Sequence, residues 1–146
     1  HWTDRFIFDR PVTRKARPQP PLFIVGHWRT GTTLLHELMV LDKQFGYPNT
    51  YQVTTPHHFL LTESFVPALL AHALPERRPM DNMEVGFDRP QEDEFIFSNL
   101  GLPSPYDRWL FPNTKAGDGT LDLLGLPEAD RRRWVAALAL FLRRLA

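Results

Sequence analysis

The sequence predicts an α/β domain built on a central parallel sheet. Three adjacent features carry that expectation: the apolar run Leu22, Phe23, Ile24, Val25; a polar loop from Gly26 to Gly31; and a helical pattern opening at Thr32. An unbroken run of β-formers is the pattern of a strand buried on both faces, the usual state of a central parallel strand. With 42% apolar residues in 146, the composition permits a core.

Residues 1–19 show little periodicity. They carry the basic residues Arg14, Lys15 and Arg17 and then enter a proline-rich stretch, so they read as an arm leading into a domain at 20–146. After the apolar run and its loop, the first helix spans residues 32–41, with Leu34, Leu38 and Leu41 in one stripe and Leu35 and Met39 beside it. Gly46 and Pro48 end that element. A second helix is expected at Thr55 and Pro56, as N-cap and first helical residue, running through His57, His58, Phe59 and Leu60. Residues 66–74 form a further helical stretch that stops before Pro75. Residues 76–89 read as a loop, extended over 83–87.

Pro90 restarts a helix over residues 91–100, closed by Gly101. Residues 111–125, rich in Gly, Asp, Asn and Thr, read as a loop. The last helix opens after Pro127, with Glu128 and Asp130 at its positive end and Arg143 and Arg144 at its negative end. Trp134, Leu138, Phe141 and Leu145 form its apolar stripe. Arg131, Arg132 and Arg133 fall on its solvated face.

Charge and composition exclude several classes. Lys and Arg number 17 against 17 Asp and Glu, so the basic excess of a nucleic-acid binder is absent. There is no cysteine for disulfides or thiolate metal sites. No apolar run approaches the ~18 residues of a membrane span, and a cytoplasmic location is the expectation. The chain starts without Met at His1 and stops at Ala146 inside a helical pattern, so it reads as the front part of a longer domain truncated on its C-terminal side.

The loop Gly26-His27-Trp28-Arg29-Thr30-Gly31-Thr32-Thr33 has the strand-to-helix setting that phosphate binding requires. Such a turn aims several backbone N–H groups at one anion, and the helix end adds about half a positive charge. Glycine lets the backbone approach closely, and the threonines offer hydroxyl donors. The two glycines have nucleotide-hydrolase spacing, but Thr32 stands where that loop has its lysine. A cation comes earlier instead, from Arg29. The missing lysine argues against a triphosphate site with Mg²⁺. A plain strand–turn–helix with a Gly-rich connection is the competing account.

The run Arg29-Thr30-Gly31-Thr32-Thr33 after an apolar strand resembles the sulfotransferase family. The stretches Gly46-Tyr47-Pro48, Pro56-His57-His58-Phe59 and Arg89-Pro90-Gln91-Glu92-Asp93-Glu94-Phe95 also look like its bacterial members. The resemblance covers roughly residues 20–146, with the first loop as its specific part. It implies a P-loop-type three-layer α/β fold with a central parallel sheet. It also implies a donor, 3′-phosphoadenosine 5′-phosphosulfate, and a hydroxyl-bearing acceptor, with no metal. His27, Trp28, Arg29, Thr30, Gly31, Thr32 and Thr33 would then form the donor loop. Arg29 would face the phosphosulfate, Thr30, Gly31 and Thr32 would give backbone donors, and Thr33 a hydroxyl. Many members have Pro where Trp28 stands. The family's second donor element, an Arg and a Ser on the 3′-phosphate, is expected after Ala146, so the 146-residue chain alone is expected to be inactive.

Sulfuryl transfer to an alcohol needs a positioned donor, a neutralised leaving phosphate and a base for the acceptor hydroxyl. Arg29 suits the second task. Candidates for the third are His57, His58, Glu63, Glu92, Asp93 and Glu94. Each also has an ordinary reading. Adjacent histidines in a helical turn point about 100° apart, so at most one faces a substrate. Carboxylates at 92–94 suit the first turn of a helix. In some relatives a Glu lies soon after the first helix, but residues 47–51 contain no acid. A P-loop kinase or NTPase, and a non-catalytic nucleotide-binding module, remain the alternatives to sulfotransfer.

Overall fold

A computed structural model describes residues 20–27, 29–79, 82–113 and 119–145. Helices dominate these residues: α1 (Thr32–Met39), α2 (Thr50–Thr54), α3 (Phe59–Thr62), α4 (Val66–Leu70) with a 3-10 turn at Ala71–Ala73, α5 (Phe95–Leu100), α6 (Asp107–Leu110) and α7 (Glu128–Leu145). The arm expected at 1–19 lies outside the described residues.

The core forms where α2, α3, α5 and α7 meet. Tyr51, Val53, Phe59, Ile96, Phe97 and Phe141 are buried there, with Leu102 at the end of the α5 turn. Trp134 of α7 stacks on Phe97 at 3.9 Å between centroids, and Phe141 meets Phe59 edge-on at 5.9 Å. The predicted stripe of α7 therefore faces the core, as its period requires. The opposite side of α7 is exposed and laced by ion pairs from Glu128 to Arg131 and Arg132. Gly101 closes α5, its N–H bonding to the Phe97 and Ser98 carbonyls.

The central sheet is not present among the described residues. Leu22 is 64% exposed and Val25 90% exposed, and residues 22–25 pair with no strand. A strand's backbone groups are satisfied only by a neighbouring strand, and parallel neighbours arrive through long crossovers. No such neighbour lies among the described residues, so the expected buried strand is here an unpaired segment. Among the described residues the bridges are isolated antiparallel ones, Asn49↔Pro90 and Arg77↔Glu84.

Those bridges explain where the helix boundaries depart from expectation. Residues 48–51 pair with 87–91 through Gln91 N–H to Pro48 O at 2.9 Å, Thr50 N–H to Arg89 O at 2.9 Å and Tyr51 N–H to Phe87 O at 3.0 Å. The helix expected from residue 91 starts only at Phe95. A helix at Thr50–Thr54, absent from the sequence reading, starts at a capping box between Asn49 and Gln52. Thr55 then ends that helix, its Oγ1 donating to Tyr51 O at 2.6 Å. It does not cap the next one. Pro56, His57 and His58 form a turn ahead of α3.

Candidate active site

The loop from Gly26 to Gly31 turns by two left-handed residues. Arg29 has φ 64° and Gly31 has φ 89°, and Gly31 then serves as the N-cap of α1. A left-handed non-glycine residue is uncommon and strained, and such residues gather where a loop is shaped for a ligand. Thr30 Oγ1 donates to His27 O at 2.5 Å and locks the turn. Gly26 is required by space: a Cβ there would sit 2.6 Å from Thr32 Cγ2 and 3.0 Å from Thr30 Oγ1. No side chain caps α1 at Gly31. Its first-turn N–H groups, which have no intrahelical partner, are thus left for another acceptor. Arg29 and Thr30 are exposed, Thr32 and Thr33 half-buried. Trp28 lies outside the described residues.

The polarity of α1 is inverted relative to its surroundings. The expected leucine stripe is on the open side, with Leu34, Leu38 and Leu41 all exposed and Leu41 at 76%. The covered side carries Thr32, Thr33, His36 and Glu37. Glu37 approaches Arg89 at 3.8 Å, and Arg89 also pairs with Glu84. A cleft of about 50 Å³ opens beside Thr33, lined by Glu37, Thr50, Arg78, Glu84 and Arg89. His36 sets its ring edge-on to Tyr47 at 6.3 Å.

Glu92 and Asp93 lie close enough to that side to act on His36. Glu92 accepts a hydrogen bond from the Tyr106 hydroxyl, and Tyr106 stacks on Phe95 at 4.6 Å. Burial pushes the Asp93 carboxyl up, and the Glu92 charge adds to the push. Glu94 is pushed up by burial and then by Asp93 and Glu92. Tyr106 is held well above the usual phenol range by burial and its bond to Glu92. Burial lowers His36, while Glu37, Asp93 and Glu92 pull it back.

The other base candidates are placed elsewhere. His57 Nε2 lies 3.2 Å from Asn99 O, and His58 Nδ1 lies 2.9 Å from Thr62 Oγ1, both rings exposed. Asn99 is at the C-terminal end of α5, while Asp93 precedes its N-terminal end. Six residues of helical rise separate those two positions by roughly 9 Å. Glu63 is held by amides, Asn49 Nδ2 at 2.7 Å and Gln52 Nε2 at 2.9 Å, and so ties α2 to the end of α3. The structure thus brings Glu92 and Asp93 close enough to α1 to act on His36 and gives His57 and His58 other partners. Sequence reasoning passed over His36, Glu37, Tyr47, Arg89 and Tyr106. The signal for the first two was available: they follow Thr32 and Thr33 by one turn on the same helix face. A hollow of about 380 Å³ on the outer side of α7, among Val135, Ala136 and Ala139, contains none of the candidate residues.

The model of the sulfotransferase family matches residues 20–115, which takes in the donor loop, α1 and the acid cluster. The chain belongs to the sulfotransferase family. It is similar to the ω-hydroxy-β-dihydromenaquinone-9 sulfotransferase Stf3 of Mycobacterium bovis, 50% identical over 109 residues. The same identity and length hold for Stf3 of Mycobacterium tuberculosis. The match covers 75% of this chain and 28% of each relative, so the chain spans under a third of the curated relatives it matches. No solved structure matches it significantly. No described helix is long and apolar enough to cross a membrane.

Proposed function

We propose that the protein transfers a sulfuryl group from 3′-phosphoadenosine 5′-phosphosulfate to a hydroxyl acceptor. The observation that carries the reading is the family match over the Arg29–Thr33 motif, in a left-handed turn that opens an uncapped helix. Backbone N–H groups of Thr30, Gly31 and Thr32 hold the 5′-phosphate, and the Thr33 hydroxyl adds a donor. His27 and Trp28 flank the loop. Arg29 faces the oxygen between phosphorus and sulfur, where negative charge grows as the sulfuryl group leaves. His57, His58, Glu92 and Glu94 are the candidates for the base that takes the acceptor proton.

The complete domain in this reading is a P-loop-type three-layer α/β fold. Residues 22–25 are its first strand, paired by chain outside the described residues, and the leucine side of α1 packs on the sheet. That accounts for an exposed apolar stripe that would otherwise be costly to leave in water. The relatives' name gives them a hydroxyl at the end of a prenyl-quinone tail. At 50% identity over 75% of this chain, the same acceptor class is proposed here. The test supplies the full-length enzyme with ³⁵S-labelled donor and either an ω-hydroxylated prenyl quinone or a short alcohol. Labelled sulfate ester from the quinone supports the reading. Phosphoryl transfer or hydrolysis of a nucleoside triphosphate, with no sulfate ester, refutes it in favour of a kinase or NTPase.

A further inference from the structure

The cleft beside α1 is lined by Thr33 and Glu37 together. Thr33 closes the Arg29–Thr33 motif, and Glu37 follows it by four residues on the same helix, so their Cβ atoms are neighbours about 5–6 Å apart. We propose that this cleft receives the acceptor hydroxyl and that Glu37 is the base that takes its proton; this rests on the sulfotransferase reading above.

Three segments distant in sequence build the cleft. The first is α1, with Thr33 and Glu37. The second is the pairing of residues 48–51 with 87–91, which contributes Thr50, Arg89, Pro90 and Gln91. Its backbone is fixed by Gln91 N–H to Pro48 O at 2.9 Å and by the Thr50 hydroxyl, which donates to Arg89 O at 3.2 Å. The third is the turn over residues 76–85, closed by Arg78 N–H to Met83 O at 2.9 Å and Val85 N–H to Glu76 O at 3.0 Å. It contributes Arg78 and Glu84. The Glu37 side chain is only 22% exposed and lies 3.8 Å from the Arg89 guanidinium, which also pairs with Glu84. Side chains on a helix lean toward its N-terminus, so the Glu37 carboxylate leans toward Thr33.

The chemistry of the lining suits an alcohol. Among the described residues the cleft sets Arg78 and Arg89 against Glu37 and Glu84, so it carries no net charge and favours an uncharged group over a second anion. At about 50 Å³ it has room for a small polar group, since a single water needs roughly 10–15 Å³. An ionised carboxylate only accepts hydrogen bonds, as a base for an O–H must. His57, His58, Glu92 and Glu94 do not line the cleft. Glu84 does, but its side chain is 60% exposed, and it stands outside α1. In the step, the acceptor O–H gives its proton to the Glu37 carboxylate as the acceptor oxygen bonds to sulfur. The bond from sulfur to the bridging oxygen breaks, and its electron pair stays on the phosphate oxygen, facing Arg29. The products are a sulfate ester and 3′-phosphoadenosine 5′-phosphate, and the Glu37 carboxylic acid returns its proton to water. The hydroxyl becomes more acidic as its oxygen bonds to sulfur, so a carboxylate is a strong enough base.

The test measures kcat and KM in the full-length enzyme with labelled donor and two acceptors, an ω-hydroxylated prenyl quinone and its analogue fluorinated beside the hydroxyl. Glu37→Gln should lower kcat with the first by ~100-fold or more and leave affinity for 3′-phosphoadenosine 5′-phosphate within about twofold. The fluorinated alcohol is more acidic and needs less help from a base, so its loss should be smaller by about tenfold or more. A purely structural role would slow both acceptors alike. Glu37→Asp keeps the carboxylate but withdraws it by one methylene. It should show a lesser loss with the same dependence on the acceptor, and it decides the matter if Glu37→Gln does not fold. A Glu37→Gln enzyme within about threefold of wild type, an equal loss with both acceptors, or a larger loss in Glu84→Gln overturns the assignment. If wild type transfers sulfate and the Glu37 variants match it, only this inference falls. If wild type transfers none, the sulfotransferase reading falls with it.

Discussion

Replacing Gly26 by Ala perturbs the donor loop by a known distance. The added Cβ would lie 2.6 Å from Thr32 Cγ2, against about 3.5–4.0 Å for an unstrained carbon pair. The gap must open by about 1 Å. Neither neighbour yields easily. Thr32 is β-branched in the first turn of α1, where its χ1 is restricted, and Thr30 is tied to His27 O at 2.5 Å. The loop must therefore reshape, which displaces the N–H groups of Thr30, Gly31 and Thr32. Losing one hydrogen bond to a charged phosphate costs about 1.5–3 kcal/mol, or a roughly tenfold to hundredfold weaker donor. Gly31→Ala is the informative contrast. Nothing lies within 4 Å of its Cβ, but φ is 89°, so the penalty is conformational at about 1–2 kcal/mol and falls on loop stability. Calorimetric titration of 3′-phosphoadenosine 5′-phosphate into the full-length enzyme, beside thermal melts, separates the two. Unchanged nucleotide affinity in a folded Gly26→Ala enzyme would refute the argument that this loop is the phosphate cradle.

Other expectations concern the core and the acid cluster. Phe141→Ala removes a buried ring at the junction of α3 and α7 and should cost about 3–5 kcal/mol in denaturant unfolding. Trp134→Phe should stay within about 1 kcal/mol of wild type, because the indole N–H it removes is buried without an acceptor and the stack on Phe97 survives. Asn49→Ala loses the capping box and an amide bond to Glu63, and should lower stability by about 1–2 kcal/mol. Asp93→Asn should be more stable than wild type at neutral pH. A carboxyl whose folded pKa is raised destabilises the fold once ionised, so the advantage appears as pH rises from the unfolded to the folded pKa and vanishes below both. Melting temperatures from pH 3 to 8 check the sign: an advantage that grows on acidification contradicts it.

What the sequence revealed was local. The α7 stripe, the Gly101 stop and the start of α1 at Thr32 all follow from period and capping, and all are observed. The helix α2 was legible in Asn49 and Gln52, but a five-residue element barely shows periodicity. The helix expected from residue 91 begins at Phe95, and Gln91 instead pairs with Pro48, a contact across some forty residues that no local pattern encodes. The leucines of α1 were read correctly as an apolar stripe. Among the described residues that stripe is exposed.

The account turns on Arg29. In the full-length enzyme, Arg29→Ala should lower kcat for sulfuryl transfer by roughly 100-fold or more, with a smaller loss of donor affinity, because the guanidinium meets charge that grows only as the bridging bond breaks. Arg29→Lys should keep part of the activity, since charge survives without the fork geometry. Steady-state kinetics with labelled donor, beside calorimetric binding of the product nucleotide, gives both numbers. An Arg29→Ala enzyme with wild-type kcat would contradict the proposal that this loop drives sulfuryl transfer.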